Sequence, residues 1–156
     1  MKLISSEQIR NMGTIGGNFV NASPIGDMSI FFLALNSTIT FQHTSGTERS
    51  IPFQEFHQDY KKYDLNEGEV LKSISFSILD KNEQFNFEKV SKRTHLDIAS
   101  VNSAGRISIK SGVISDAHFS VGGVAAIPKY LYKTNEFLKG EMIVSETIHM
   151  AEKIMQ

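Results

Sequence analysis

The chain contains no cysteine and no tryptophan, and only three of its 156 residues are proline. Without cysteine it can form no disulfide, no thiolate-built zinc site and no iron–sulfur cluster of its own. No charge of one sign dominates. Sixteen basic residues meet 17 acidic ones, for a net charge of -1. That balance excludes the basic field of a general nucleic-acid binder. Long apolar runs are absent too. The richest, Ile30 to Leu35, falls well short of the roughly 18–20 residues that cross a bilayer. The first residues turn polar at Ser5 and lack the apolar centre of a signal peptide. These absences lead us to expect a cytoplasmic protein with neither membrane nor nucleic acid as partner. The five histidines, His43, His57, His95, His118 and His149, are scattered, and no pair has the i, i+4 spacing of a helical metal site. No nucleophile motif for Ser-His-Asp catalysis is present.

What remains is a globular composition, 40% hydrophobic and 21% charged. Folding a chain of this size buries roughly 70% of its unfolded surface, enough for a core without staples. Ser5 or Ser6 caps a short turn over Glu7 to Met12. Gly13 to Asp27 reads as a loop of small residues, and Met28 to Asn36 as a helix. Thr38 to Gln42 and Arg49 to Phe53 flank a turn containing Gly46 and predict a hairpin. Gln54 to Tyr63 has no clear period. Val70 to Ile78 alternates, which predicts a strand burying Val70, Lys72, Ile74, Phe76 and Ile78. Asp80 to Glu83 is a charged boundary. Phe85 to Ser91 predicts a strand with Phe85, Phe87 and Lys89 on one face. Asp97 to Ala104 reads as a helix behind an aspartate cap. Arg106 to Lys110 and Val113 to Val121 predict two strands turning at Ser111-Gly112, with Gly122-Gly123 interrupting the pattern. Lys129 to Leu138 and Ser145 to Met155 predict helices, the first ended by Gly140. The fold class is α+β, a loop-rich first lobe followed by a β-α-β-β-α-α second lobe.

Thr14-Ile15-Gly16-Gly17-Asn18 is the most informative segment. Consecutive glycines permit positive φ and close approach of a ligand to the backbone. Successive N–H groups can then converge on an anion. Asn18 and Asn21 add side-chain donors, and Asp27 can accept from sugar hydroxyls. A pyrophosphate with a ribose needs these groups. A plain turn explains the two glycines equally well, and Asp27 also suits the cap of the helix that follows it. The segment matches neither Gly-x-Gly-x-x-Gly nor the Walker pattern.

Ile9-Arg10-Asn11-Met12-Gly13-Thr14-Ile15-Gly16-Gly17-Asn18, followed by Asn21-Ala22-Ser23-Pro24-Ile25-Gly26-Asp27, resembles the FAD-binding domain of the xanthine dehydrogenase family of molybdenum hydroxylases, the bacterial small subunit above all. The likeness continues through Arg49-Ser50-Ile51-Pro52, Phe56 with Tyr60, and Glu69-Val70-Leu71. It then runs through Lys89-Val90-Ser91-Lys92-Arg93, Leu96-Asp97-Ile98-Ala99-Ser100-Val101, Gly122-Gly123-Val124-Ala125 with Pro128, and Glu136-Phe137-Leu138-Lys139-Gly140. The resemblance implies a fold in two parts. Residues 1–80 are the second half of an FAD-binding lobe of the vanillyl-alcohol-oxidase type. Residues 84–156 are a CO dehydrogenase flavoprotein C-terminal-like antiparallel sheet with helices. It also implies a missing first glycine-rich subdomain and a missing "D-x-R-G-S-x-x-Y-R" segment at the far end. The isolated chain is then expected to be inactive, and to self-associate through apolar surface around Ile30 to Leu35.

Carried over residue by residue, the resemblance places Thr14, Ile15, Gly16, Gly17 and Asn18 against the FAD pyrophosphate, and Asn21 near the phosphates. It places Asp27 on the adenosine sugar, Leu71 against the cofactor and Lys89 near the flavin. Taken alone, Leu71 shows no preference for core or surface, and Lys89 reads as a solvated strand lysine. Lys92 to Leu96 is implied to lie near the flavin, where its charges would tune the potential or admit NAD. The implied function is the FAD-binding portion of a xanthine dehydrogenase-like enzyme. It would relay electrons from 2Fe–2S centres through FAD to NAD, with molybdenum cofactor and iron–sulfur ligands on partner domains or chains. A homo-oligomer is compatible with this. Two other readings stay open: the flavoprotein part of a CO, aldehyde or nicotinate type hydroxylase, and a non-catalytic interaction module.

Overall fold

Ser6 takes extended backbone angles, and its Oγ accepts from the Ile9 N–H at 3.3 Å. That cap starts helix α1, Glu7–Met12, where the sequence predicts a turn. The structure, a computed structural model, describes residues 4–93 and 96–155. His95 lies outside the described residues. The stretch expected to be a loop holds a second helix, α2, Ile15–Val20. Thr14 caps it, its Oγ1 accepting from the Gly17 N–H at 2.9 Å. The cap, worth about 1 kcal/mol, and the full burial of Phe19 offset the helix-weakening effect of two glycines. Neither Gly16 nor Gly17 has a positive φ, because both are helical.

Helix α3, Asp27–Ala34, follows. It is buried nearly all round: Ile30 and Ala34 are fully covered, and Phe32, Leu33 and Leu35 are at most 5% exposed. The apolar surface expected around Ile30 to Leu35 is therefore absent. A sheet formed by the later part of the chain covers it. Strands β1, Thr38–His43, and β2, Glu48–Pro52, form the expected hairpin, with Ile39 opposite Ile51. A single 3₁₀ turn at Phe53–Glu55 leads to two short paired strands, β3, His57–Asp59, and β4, Lys62–Tyr63.

Strand β5, Glu69–Ser75, pairs with the other edge of β1. The buried face predicted for it is wrong in part. Val70 is 62% and Ile78 91% exposed, whereas Leu71 and Ile74 pack on the core. The register shifts between Thr40, opposite Ser73, and Phe41, opposite Leu71. Lys72 is thus the extra residue of a β-bulge, and the alternation inverts across it.

The last sheet is antiparallel, ordered β6-β7-β8-β9. Its strands are β6, Glu83–Val90; β7, Val101–Lys110; β8, Val113–Gly122; and β9, Lys129–Tyr130. The helix expected over Asp97 to Ala104 does not form. Residues from Val101 onward pair with β6 on one side, and from Asn102 with β8 on the other, and that ladder overrides the capping signal. The Asp97 carboxylate instead accepts from the Arg93 N–H at 3.0 Å. Lys129 and Tyr130, expected in a helix, pair with Val121 and Ser120, so helix α4 spans only Tyr132–Leu138. Helix α5 is Ser145–Met155. Between them Gly140 takes φ 87°, the left-handed turn foreseen for it.

Two layers of helix sandwich this sheet. Phe85, Phe87, Ala104 and Ser120 face α3: Phe31 packs on Phe85 at 4.8 Å between ring centres, and Ser120 Oγ donates to the Ile30 carbonyl at 2.7 Å. Arg106 donates to the Leu35 carbonyl at 3.3 Å, satisfying an orphan group at the C-terminal end of α3. On the opposite face Ile107, Ala117 and Phe119 pack with Phe137, Leu138 and Ala151 of α4 and α5.

Candidate functional site

The first turn of α2 leaves the Ile15 and Gly16 N–H groups without intrahelical acceptors, with the positive end of the helix dipole behind them. Gly17 is exposed, and Gly16 is half-buried beneath the Leu71 side chain. A Cβ at Gly16 would lie 3.6 Å from Leu71 Cδ2, and one at Gly17 only 2.9 Å from Thr14 Oγ1. Leu71 reaches this place because the bulge turns it toward the core side of β5. Thr14, Arg10, Ile15, Asn18 and Met28 help to line an adjoining cleft of about 180 Å³. Arg10 stands beside it, its guanidinium donating to the Ser5 carbonyl at 2.6 Å and the Ile4 carbonyl at 2.8 Å.

Asn18 connects this turn to the loop ahead of α3. Its Oδ1 is buried without a hydrogen-bond partner and would lie 3.4 Å from a Cβ on Gly26. Ser29 Oγ, also buried and unpartnered, is 3.3 Å from the same point. One residue on, Asp27 enters a buried pair. Lys89 Nζ donates to its Oδ2 at 2.7 Å, with the two side chains 4% and 10% exposed. Asn102 Nδ2 donates to its Oδ1, also at 2.7 Å, and to the Ile25 carbonyl at 3.1 Å. A buried ion pair is tolerable when further hydrogen bonds satisfy its charges, and Asn102 supplies one.

Gly122 and Gly123 let this loop lie against the sheet. A Cβ at Gly122 would come within 2.2 Å of Asn102 Oδ1 and 2.8 Å of the Pro24 carbonyl. The Gly123 N–H donates to that carbonyl at 3.2 Å, and Gly123 takes φ 88°.

Of the residues singled out in the sequence, Thr14, Ile15, Gly16, Gly17 and Asn18 share one helical turn with Leu71 beside it. Asp27 and Lys89 are in direct contact, and Asn18 adjoins the loop that carries Asp27. Asn21 stands apart, at the C-terminal end of α2, where its carbonyl accepts from Lys61 Nζ. Of the charged pair Lys92-Arg93, Arg93 bonds to Asp97 at 3.2 Å. Among the described residues no group of three or more His, Asp or Glu side chains is arranged to hold a metal ion. Asn102 was missed because its segment reads as a helix. The signal that points to it is the alternation Asn102, Ala104, Arg106, Ser108, which puts it on the face shared with Lys89.

Residues 1–76 match the family model described as the FAD binding domain in molybdopterin dehydrogenase, and residues 87–156 match that of the CO dehydrogenase flavoprotein C-terminal domain. Xanthine dehydrogenase of Oryza sativa is 36% identical over 148 residues, covering 90% of this chain and 11% of that protein. Glyceraldehyde dehydrogenase medium chain of Sulfolobus acidocaldarius is 37% identical over 123 residues, covering 79% of this chain and 43% of that one. A chain of carbon monoxide dehydrogenase from Hydrogenophaga pseudoflava superposes with a TM-score of 0.91 at 24% identity, a likeness of fold. It covers 98% of the present chain, which spans about half (53%) of it.

Proposed function

Because this chain belongs to the FAD-binding domain family of the molybdenum hydroxylases, we propose that it forms part of the FAD site of such an enzyme, one of xanthine dehydrogenase type. The observation that carries the reading is the first turn of α2, where glycine backbone and N–H groups without intrahelical acceptors lie beside the Leu71 side chain. A pyrophosphate fits such a turn, because the Ile15 and Gly16 N–H groups have no intrahelical acceptor and Gly17 is exposed.

In this reading Thr14 holds the turn in shape through its cap, and Ile15, Gly16 and Gly17 offer backbone to the pyrophosphate. Asn18 braces the turn against the Gly26 loop. Leu71 packs on the cofactor. Asp27 accepts from the adenosine sugar, since a carboxylate has about four lone-pair sites and two are engaged by Lys89 and Asn102. Lys89 neutralises that carboxylate, and their 2.7 Å contact puts both residues at the same part of the cofactor rather than at its adenosine and flavin ends. Asn21 acts near the phosphates only if α2 is approached from its C-terminal end. Bound FAD supplies the hydride and one-electron chemistry. No residue of this chain is needed as acid or base. Electrons would arrive from 2Fe–2S centres, the molybdenum cofactor would sit on a partner subunit, and NAD would be the acceptor. A second enzyme type is favoured by one observation. A glyceraldehyde dehydrogenase chain and a nicotinate hydroxylase of Emericella nidulans match at 37% and 32% identity, alongside xanthine dehydrogenase at 36%.

The test is FAD titration, followed by flavin absorbance and fluorescence. The chain is titrated together with the remaining half of a related flavoprotein chain. Saturable binding that Gly17→Val weakens supports the site. A colourless protein that never takes up flavin would favour a non-catalytic interaction module.

A further inference from the structure

We propose that Asn102 is a positioning residue of the flavin site, acting through Asp27. The inference rests on the flavin reading above and adds a residue and a role to it.

Three residues form a row across the sheet at one level. Lys89 on β6 is opposite Asn102 on β7, and Asn102 is opposite Gly122 on β8. Their side chains share the face that meets α3 and the loop before it. Lys89 provides a cation, Asn102 an amide and Gly122 an open space. Residues 24–27 descend into this row. The Pro24 carbonyl passes where Gly122 has no side chain, the Ile25 carbonyl accepts from Asn102, and the Asp27 carboxylate is taken from both sides.

The chemistry at position 102 is narrow. An asparagine amide carries two N–H donors, and both are used: one on the Ile25 backbone, one on the Asp27 side chain. Asn102 is 1% exposed, and its backbone is paired on both sides, so it has little freedom to move. Aspartate there would bring no donor and a second negative charge against Asp27. Serine has one donor and a shorter reach. Without the amide, Asp27 Oδ1 loses the Asn102 donor inside a buried site, and the carboxylate can swing about its terminal torsion while Lys89 holds Oδ2. The Ile25 carbonyl also loses its side-chain tether to the sheet. Asn102 therefore fixes where Asp27 stands and which way its carboxylate faces, without itself reaching the sugar.

The decisive experiment is a double-mutant cycle on FAD affinity. It uses the full chain with the supplied flavoprotein half, and each variant is also melted without flavin. Asn102→Ala should weaken FAD binding by about tenfold, the loss expected for a charge-assisted hydrogen bond that sets a contact group. In an Asp27→Ala background the same change should alter affinity by less than about twofold, because the group it positions is gone. Asn102→Ser, which keeps one donor, should fall between and is the variant to use if Asn102→Ala does not fold. Effects of Asn102 and Asp27 that simply multiply would mark Asn102 as structural only and overturn the proposal. If Gly17→Val weakens flavin binding but Asn102→Ala and Asn102→Ser do not, this proposal alone fails. If Gly17→Val changes nothing either, the flavin reading fails and takes the proposal with it.

Discussion

Arg49 on β2 reaches across β1 to Glu69 on β5, its Nε donating to Oε1 and its Nη2 to Oε2, each at 2.7 Å. The guanidinium also bonds Asp64 at 3.0 Å and lies 4.4 Å over the Phe41 ring between the two strands. The three strands are therefore clamped by a side chain as well as by their ladder. The Arg49 hydrogen bonds pull the Glu69 carboxyl down from its ordinary 4.5 to about 2. A carboxylate depressed on folding stabilises the protein above its unfolded value, and that stability is lost as pH falls through the folded value. The window is therefore about pH 4.5 to 2. Arg49→Met should lower the melting temperature at neutral pH and flatten its fall across that window. Melting curves at a series of acidic pH values check this. An unchanged slope would mean that the clamp contributes nothing to acid sensitivity.

His57 is 5% exposed among Phe53, Phe56 and Phe19, and its Nε2 lies 3.1 Å from the Phe19 carbonyl. Burial holds its pKa below the ordinary 6.5, against the pull of that carbonyl. The fold thus prefers the neutral ring. Its contribution is complete above about 6.5 and is lost as pH falls through the lowered value. We expect the wild-type melting temperature to drop as pH falls below about 6.5, and His57→Gln to reduce that drop. NMR titration of the ring should find an acid-shifted midpoint. A midpoint at or above the free value would contradict it.

Gly17→Val meets a different obstacle from the one the sequence suggests. The residue is helical, so positive φ plays no part, and the new Cβ would press on Thr14 Oγ1 at 2.9 Å. The variant should lose the cap, costing about 1 kcal/mol, and weaken FAD binding by about tenfold or more. Thr14→Ala should share the stability loss with a smaller change in flavin affinity, since it adds no atom to the turn. Chemical denaturation and flavin titration of the pair separate the two effects. Equal affinity losses in both would mean that only the cap matters.

Gly122→Ala should be costly even though its φ is unremarkable. The added methyl would enter space held by Asn102 Oδ1 and the Pro24 carbonyl, and overpacking of this kind costs about 1–3 kcal/mol. Gly112→Ala is the control, with no atom within 4 Å of its Cβ but a φ of 79°, for which backbone strain of about 1 kcal/mol is expected. Urea unfolding of both variants gives the comparison. A Gly122 variant as stable as wild type would show that the loop at residues 24–27 can move off the sheet.

Self-association, expected from the sequence at Ile30 to Leu35, is now expected at α1 instead. Ile9 is 59% and Met12 85% exposed beside the apolar cleft, with Ile15 39% exposed. The isolated chain should sediment with concentration-dependent mass, and Ile9→Lys with Met12→Lys should suppress it. Monomeric sedimentation of the wild type at all concentrations would dismiss the idea.

The features legible in the sequence are those that neighbouring residues decide. Ser6 needs only the N–H of Ile9 to start α1. The β1–β2 hairpin needs alternation and a turn at Gly46, and Ser111-Gly112 and Gly140 need only a left-handed residue at the right place. The Gly16-Gly17-Asn18 segment and its neighbours carry a pattern of residue types that could be matched without any coordinates. Contacts between distant residues settle the rest. Whether Val101 to Ala104 is helix or strand depends on partners 11 to 20 positions away. Whether Ile30 to Leu35 is exposed depends on a sheet that begins only at Glu83. The face that β5 buries depends on a one-residue register shift against β1. The Asp27–Lys89–Asn102 constellation joins residues 62 and 75 apart through a gap that Gly122 leaves. Local propensities differ by about 1 kcal/mol, whereas burying an apolar side chain or pairing a charge in a desolvated place is worth more, so the distant partners win.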